Sequence, residues 1–215
     1  PSGIEVTTHV LTHESFARAL IDFAVNTDAD MIVVGGAGDG LLNRHSIGSV
    51  ASQLLHASEV PLALAPRGYR LSNAPITDLT VAVPTRASAP NPLPFAITLA
   101  SAAHVPVRLV SLVSLEPTGA PSDETSLDTR RRQVAAAQDN LDHAVRTLPD
   151  IEGLQSVVAD GSTLDEAMGN LDWKPGDVLF LGSSRLATPK RVFLGSSAAK
   201  ILRAAPVPVV VVPHE

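Results

Sequence analysis

Glycine and serine residues at fixed spacing carry the clearest chemistry in this chain. Gly35 and Gly38 follow a short apolar run, and after nine further residues Gly48 and Ser49 precede a second apolar stretch, which gives a G-x2-G-x9-G-S pattern. Glycine lets the backbone approach a phosphate closely, and the amides of Gly48, Ser49 and Val50 would form the positive end of a helix. The pattern predicts a phosphate-binding loop. The alternative is a tight strand-to-helix connection in which Ser49 is only a helix cap.

A cationic residue stands inside the nine-residue spacer. The guanidinium group of Arg44 could bridge phosphate oxygens. A loop arginine also commonly stays solvated or pairs with a nearby acid, for which Asp39 is available. Arg44 is therefore a candidate phosphate contact, with local ion pairing as the alternative.

The chain contains this unit twice. Residues 1–66 and 148–213 align without a gap, and residues 76–147 precede the second copy with two more strand and helix pairs. The printed sequence has no counterpart of 76–147 before the first copy. Because missing strands would leave ladder groups unpaired, we expect either further residues upstream of Pro1 or another chain in their place.

The second loop departs from the pattern of the first. Gly182, Gly195 and Ser196 stand at the corresponding positions, but Arg185 replaces the second glycine. A long side chain there would crowd a phosphate that approaches the backbone. The second loop is therefore a weaker candidate, in which an anion could still be held by Arg185, Lys190, Arg191 and the amides of Gly195, Ser196 and Ser197.

Strand and helix patterns alternate along the whole chain, which predicts an α/β fold with parallel sheets. Residues 4–11 are rich in β-branched side chains and predict a strand, and Ser15 can cap a helix over residues 16–26. Further strands are predicted at 31–34, 60–65, 79–83, 107–113, 154–159 and from 177, and further helices at 92–103, 127–148 and 163–171.

Composition excludes several classes of protein. The net charge is −6 and the one basic run, Arg130 to Arg132, falls within a predicted helix, so a nucleic-acid surface is not expected. The absence of cysteine excludes disulfides and thiolate chemistry. No apolar run approaches the ~20 residues of a membrane helix. We expect a cytoplasmic protein, and a membrane-attached parent chain stays open.

The loop spacing, the strand before it and the helix and Val-Pro strand after it resemble the universal stress protein family. The resemblance covers the whole chain, as one partial and one complete domain. It implies tandem Rossmann-like or flavodoxin-like domains with five-stranded parallel sheets, the first one partial. We expect the C-terminal half of the first domain at 1–68, a linker at 69–78 and the second domain at 79–215.

The resemblance also implies a ligand, because one branch of the family binds ATP through this motif, with or without Mg²⁺. Phosphate and ribose contacts would fall on Gly35, Gly38, Gly48 and Ser49. In nucleotide-binding members the first strand ends near an aspartate, whereas here Pro84 stands at that place and has neither a carboxylate nor an amide hydrogen. We therefore expect a degenerate second site.

The last strands of the two units, 62–65 and 209–212, are short and apolar. In the family such strands mediate dimer contact. The resemblance therefore implies an internal pseudo-dimer or self-association through these strands.

Three functions stay open at this point. The leading one is an ATP-binding regulatory or stress-response protein with an intact first loop. A second is an interaction or assembly module that binds no nucleotide, such as the cytosolic part of a transporter. A third is weak ATP hydrolysis, although no G-x-S-x-G elbow, P-loop lysine or H-E-x-x-H motif provides a catalytic residue or a metal site. Asp160 and Gly161 follow a predicted strand and could face a ligand, although a turn is the simpler role.

Overall fold

Strands and helices alternate along the chain in the computed structural model. The structure describes residues 3–35, 47–65, 69, 75–84, 91–114, 124–149, 151, 153–184 and 191–213, with only the backbone at 124–127. In the first half the elements are α1 (Phe16–Asn26), β1 (Ile32–Gly35), α2 (Ser49–Ala57) and β2 (Leu62–Ala65). In the second half they are β3 (Asp78–Ala82), α3 (Leu93–Ala103), β4 (Val107–Ser114), α4 (Glu124–Thr147), β5 (Gln155–Gly161), α5 (Leu164–Gly169), β6 (Asp177–Gly182), α6 (Ser196–Ala204) and β7 (Val209–Val212).

The described strands form one seven-stranded sheet in the order β1-β2-β7-β6-β3-β4-β5. Five of these strands belong to the second half and are parallel to one another. The first half adds β1 and β2, which are also parallel. The α/β class and the parallel sheet predicted from the sequence are confirmed.

The two halves join where β2 and β7 pair antiparallel. Leu62 lies opposite Val211, and Leu64 lies opposite Val209. The strands that the family resemblance assigned to domain contact, 62–65 and 209–212, therefore pair with each other inside one chain. A continuous ladder across this junction leaves neither strand with an open edge.

Helices cover both faces of the sheet, and each face has its own core. On one face, buried residues of α1, α2, α5 and α6 pack together and include Ile21, Leu54, Met168 and Leu202. On the other face, α3 and α4 pack on the strands around Phe180. Burying one such side chain fully contributes about 1.5–3 kcal/mol. Because the first core contains residues of both halves of the chain, it couples the folding of the two halves.

The strand predicted at 4–11 is wrong. These residues have no regular structure, and the side chains of Ile4, Val6 and Val10 are 88%, 77% and 98% exposed. At the corresponding place in the second half, β5 is held by a ladder with β4. No strand lies beside 4–11 within the described part of the chain. A β-branched sequence without a neighbouring ladder stays irregular because its amides and carbonyls gain no partner.

Candidate functional site

A cleft opens at the carboxyl ends of the strands in the second half. Its volume is about 910 Å³, within the range of small-molecule sites. Pro84 after β3, Ser114 at the end of β4 and Ser183 after β6 line it, and Ala82, Leu112 and Leu181 of the same strands form an apolar floor. β3 and β6 are neighbours in the sheet, yet α3 and α6, which follow them, pack on opposite faces. This divergence is the topological switch point at which ligands bind in open parallel sheets.

The amino end of α6 forms one wall of the cleft. Gly195 is its N-cap, with φ −69° and ψ 166°, and no described side chain caps this helix end. Ser196 and Ser197 begin the helix and line the cleft. Their backbone amides have no partner within the helix, and the helix dipole makes this end positive. The wall can therefore accept an anionic group.

Gly195 permits a close approach between this wall and the end of β6. A Cβ atom added at Gly195 would lie 3.3 Å from both the Cβ and the Oγ of Ser184. That distance is tighter than most side-chain contacts, so Ser184 would have to shift. The glycine thus brings the start of α6 against the strand end.

Hydrogen bonds of Ser183 join the chain that precedes residues 185–190 to the chain that follows them. Its hydroxyl accepts a hydrogen bond from the amide of Phe193 at 2.7 Å and lies 3.1 Å from the Phe193 carbonyl oxygen, to which it can donate. The amide of Ser184 donates to the same carbonyl at 2.7 Å. Sequence reasoning missed Ser183. The first copy has Gly36 at the aligned position, so only the second copy carries a hydroxyl there.

The described walls of the cleft carry no charged side chain. Their polar groups are serine hydroxyls and the amide of Gln133, and the rest of the described lining is apolar. Arg185 lies outside the described residues. Among the groups that the structure describes, the backbone amides at the start of α6 are thus the main candidates to bind an anion. The apolar floor suits an uncharged ring.

Of the residues predicted for the second loop, the described glycines and serines come together at this cleft. Gly182, Gly195, Ser196 and Ser197 all line it. Pro84 lies at the strand end where the family resemblance placed an aspartate. Pro84 offers a ligand in the cleft neither a carboxylate nor an amide hydrogen.

The first loop has the same helix cap but a different neighbourhood. Gly48 caps α2 with φ −63° and ψ 163°, close to the values at Gly195, and Ser49 and Val50 begin that helix. Gly35 is the exposed end of β1. Gly38 and Arg44 lie outside the described residues. β1 is the edge of the described sheet, so no described strand provides the wall that β3 forms in the second half.

Asp160 and Gly161 have structural partners. Arg130 donates its Nε hydrogen to the Asp160 carboxylate at 2.8 Å, and Asn170 donates to the Asp160 carbonyl oxygen at 2.9 Å. A Cβ atom at Gly161 would lie 2.5 Å from the backbone nitrogen of Ala167. These residues therefore hold α4 and α5 against the end of β5.

The described residues offer no candidate for a metal site or for a membrane span. Within the described ranges, no group of three or more His, Asp or Glu side chains could hold a metal ion. Across the same residues, no helix combines the length and the apolarity that crossing a bilayer requires.

Comparison with known proteins identifies the family. The model of the universal stress protein family matches residues 2–66 and 77–213. Universal stress proteins of Mycobacterium tuberculosis and Mycobacterium bovis are 32% identical over 214 residues, which is 98% of this chain and 73% of each relative.

Solved structures share the fold. A universal stress protein from Archaeoglobus fulgidus is similar over 93% of this chain and 67% of its own, with a TM-score of 0.56 and 17% identity. A Pseudomonas aeruginosa protein of unknown function is similar over 94% of this chain and 69% of its own, with a TM-score of 0.63 and 15% identity. The two matched segments, the sequence identity and the sheet topology agree, and the chain belongs to the universal stress protein family.

Proposed function

We propose that this protein binds an adenine nucleotide and acts as a regulatory protein of the universal stress type. The observation that carries the proposal is the cleft of about 910 Å³, whose lining combines the uncapped amide end of α6 with an apolar floor. A nucleotide offers both matching groups. Its phosphates suit the positive helix end, and its uncharged base suits the floor.

The first glycine loop is the second part of the proposal. Gly48 repeats the backbone conformation of Gly195, so the amides of Ser49 and Val50 begin α2 as those of Ser196 and Ser197 begin α6. Gly35, Gly38, Gly48 and Ser49 would contact phosphates, with Arg44 as a further candidate. ATP, with or without Mg²⁺, is the expected ligand because this loop keeps both of its glycines.

A role as an interaction or assembly module is the second candidate. It is favoured by large apolar side chains on the first half that stay in solvent, among them Phe16 at 80% and Val33 at 71% exposure. Such side chains, in a patch, mark contact sites for other proteins. In this case nucleotide binding would be absent from both loops.

Calorimetric titration separates these functions. The full chain is titrated with ATP and Mg²⁺, with adenosine and with inorganic triphosphate. We expect ATP to bind more tightly than either fragment, since it engages both the floor and the helix end. If none of the three probes binds, the role as an interaction module is favoured.

Two variants assign the site. Ala136 lies on the exposed side of α4 and lines the cleft, so Ala136→Trp should block it and weaken ATP binding about tenfold or more. Ala135→Trp is the control, because this exposed neighbour points about 100° away around the helix. Gly38→Arg copies the second loop into the first. Equal affinity for Gly38→Arg and the unmodified chain would remove the first loop from the proposal.

A further inference from the structure

Helix α2 of the first half has a Gly-Ser start at one end and contacts the chain before α6 at the other. It begins at Ser49, where the first loop ends, and runs nine residues to Ala57, a length of about 13 Å. Its other end meets the chain segment 191–195, which leads into α6 and the cleft. The first turn of this short helix is thus the described part of the first candidate site, and its last turn contacts a wall of the second.

Backbone hydrogen bonds join the carboxyl end of α2 to this segment. The amide of Val192 donates to the carbonyl oxygen of Ser58 at 2.8 Å, and the amide of Leu194 donates to that of Leu55 at 3.1 Å. The last carbonyls of a helix lack partners inside it, so they must find them elsewhere. Val192 and Leu194 are buried, as is Leu55, which keeps water away from these bonds.

Side chains strengthen the same contact. The ring of His56 meets the ring of Phe193 edge to face, with centroids 5.2 Å apart and planes at 87°. The Nδ1 of His56 hydrogen-bonds the carbonyl oxygen of Ser52 at 2.7 Å, which fixes the ring. Arg191 pairs with Glu59 at 3.8 Å.

The segment that α2 holds is also a wall of the cleft. Phe193, Leu194 and Gly195 all line it, and Ser183 bonds Phe193 from the opposite side. The segment is therefore fixed between the end of β6 and the end of α2. Its position determines where the amides of Ser196 and Ser197 point.

We propose that the second-half site is built from both halves, with His56 and Glu59 as positioning residues that hold segment 191–195 and thereby the anion-accepting end of α6. The inference rests on the proposed function for its ligand, although the contact itself does not depend on a ligand.

The test compares variants of the full chain by ATP titration and by hydrogen exchange without ligand. His56→Ala removes the ring contact and should weaken ATP binding about threefold to tenfold, the size expected for one aromatic pair. In the unliganded protein it should speed exchange of the Val192 and Leu194 amides. Gln53→Ala is the control on the same helix, since Gln53 is exposed and hydrogen-bonds Ser15, away from the cleft.

Exchanging the charges of Glu59 and Arg191 tests their ion pair without truncating either side chain. Glu59→Lys places two cations together and should weaken ATP binding, and the double variant Glu59→Lys with Arg191→Glu should restore at least half of the loss. Because both side chains are partly exposed, the single effect should be about twofold to fivefold. The double variant has the net charge of the unmodified chain, so its control is Glu59→Lys with Arg131→Glu, which has the same net charge but leaves two cations together at 59 and 191. This control should not restore binding, and equal restoration in both double variants would show that only net charge acts.

The outcomes separate the inference from the proposed function. Weaker binding for His56→Ala with an unchanged Gln53→Ala supports the inference. Unchanged binding and unchanged exchange in His56→Ala overturn it. If the unmodified chain binds no ATP, the proposed function fails, and hydrogen exchange alone decides the inference: faster exchange at Val192 and Leu194 supports the positioning role, and unchanged exchange overturns it.

Discussion

Val192 donates its amide hydrogen to the carbonyl oxygen of Ser58 across the junction between the two halves, at 2.8 Å. The donor precedes the cap of α6, and the acceptor follows the end of α2. This bond links a repeat unit to its own copy. Together with the β2–β7 ladder it makes the halves one folded body, and the core that spans them needs both.

We predict that a cavity in the core of the first half lowers the stability of the second half by the same amount as that of the first half. Leu62 lies on β2, is fully buried and belongs to the core that Trp173 packs against. Leu62→Ala should lower the free energy of unfolding by about 2–5 kcal/mol. Trp173 is the only tryptophan and lies in the second half. Its fluorescence during urea denaturation therefore measures the loss of unfolding free energy in that half. Val33→Ala, at an exposed position, should change it by less than about 0.5 kcal/mol. An unshifted Trp173 transition in Leu62→Ala would show that the halves unfold separately.

Arg108 and Asp177 should form the costliest ion pair to break. Asp177 is 1% exposed and its Oδ2 accepts from Arg108 at 3.3 Å and from the amide of Lys174 at 2.9 Å. Arg108→Leu leaves this carboxylate buried without its cation, so we expect a loss of about 3–5 kcal/mol in unfolding free energy. Arg131→Ala breaks a pair that is 82% exposed on the arginine side and should cost less than about 1 kcal/mol. Equal losses for the two variants in urea denaturation would contradict this assignment.

Replacement by alanine should have opposite effects on stability at two glycines. The Cβ of Gly161→Ala would meet the backbone nitrogen of Ala167 at 2.5 Å, so α5 must move, at a cost of about 1–3 kcal/mol. Gly169 ends α5 and has nothing within 4 Å of the added atom. Gly169→Ala should therefore leave stability unchanged or raise it by up to about 1 kcal/mol. Thermal unfolding of both variants gives the answer, and a Gly161→Ala protein as stable as the unmodified chain would refute the close packing.

Glu166 should titrate below its ordinary value. The hydroxyl and the amide of Ser162 both donate to its carboxylate, and these bonds lower the pKa of Glu166 from 4.5, the hydroxyl contributing most. A lowered pKa in the folded state stabilises the fold above the unfolded value, and this contribution is lost as pH falls through the folded pKa. Ser162→Ala should raise the pKa of Glu166 part of the way back to 4.5, since the amide donor remains. NMR titration of the carboxyl carbon measures it, and an unchanged pKa would exclude the hydroxyl as the cause.

Local patterns in the sequence predicted local structure well. The apolar spacing after Ser15 predicts α1 over residues 16–26, and the helix has these bounds with Ser15 as its cap. The repeat predicts that Gly48 and Gly195 play one role, and both cap helices with nearly equal backbone angles. Such signals lie within a few residues of the feature that they determine.

The remaining features depend on partners far along the chain. Residues 4–11 have the composition of a strand, but a strand also needs a neighbour, which composition does not reveal. The contact between Val192 and Ser58 uses backbone atoms, so no side-chain type signals it. Ser183 joins the chain on either side of residues 185–190 through a hydroxyl that only the folded geometry shows to be near Phe193.

Amide chemical shifts during an ATP titration report directly on nucleotide binding at the starts of α6 and α2. A labelled full chain is titrated with ATP and Mg²⁺, and the resonances of Ser196, Ser197, Ser49 and Val50 are followed. We expect saturable shifts at the start of α6, and at the start of α2 as well if the first loop binds phosphate. Adenosine should leave these four amides largely unshifted because it lacks the phosphates. If ATP at saturating concentration moved none of the four, nucleotide binding at the glycine loops would be contradicted.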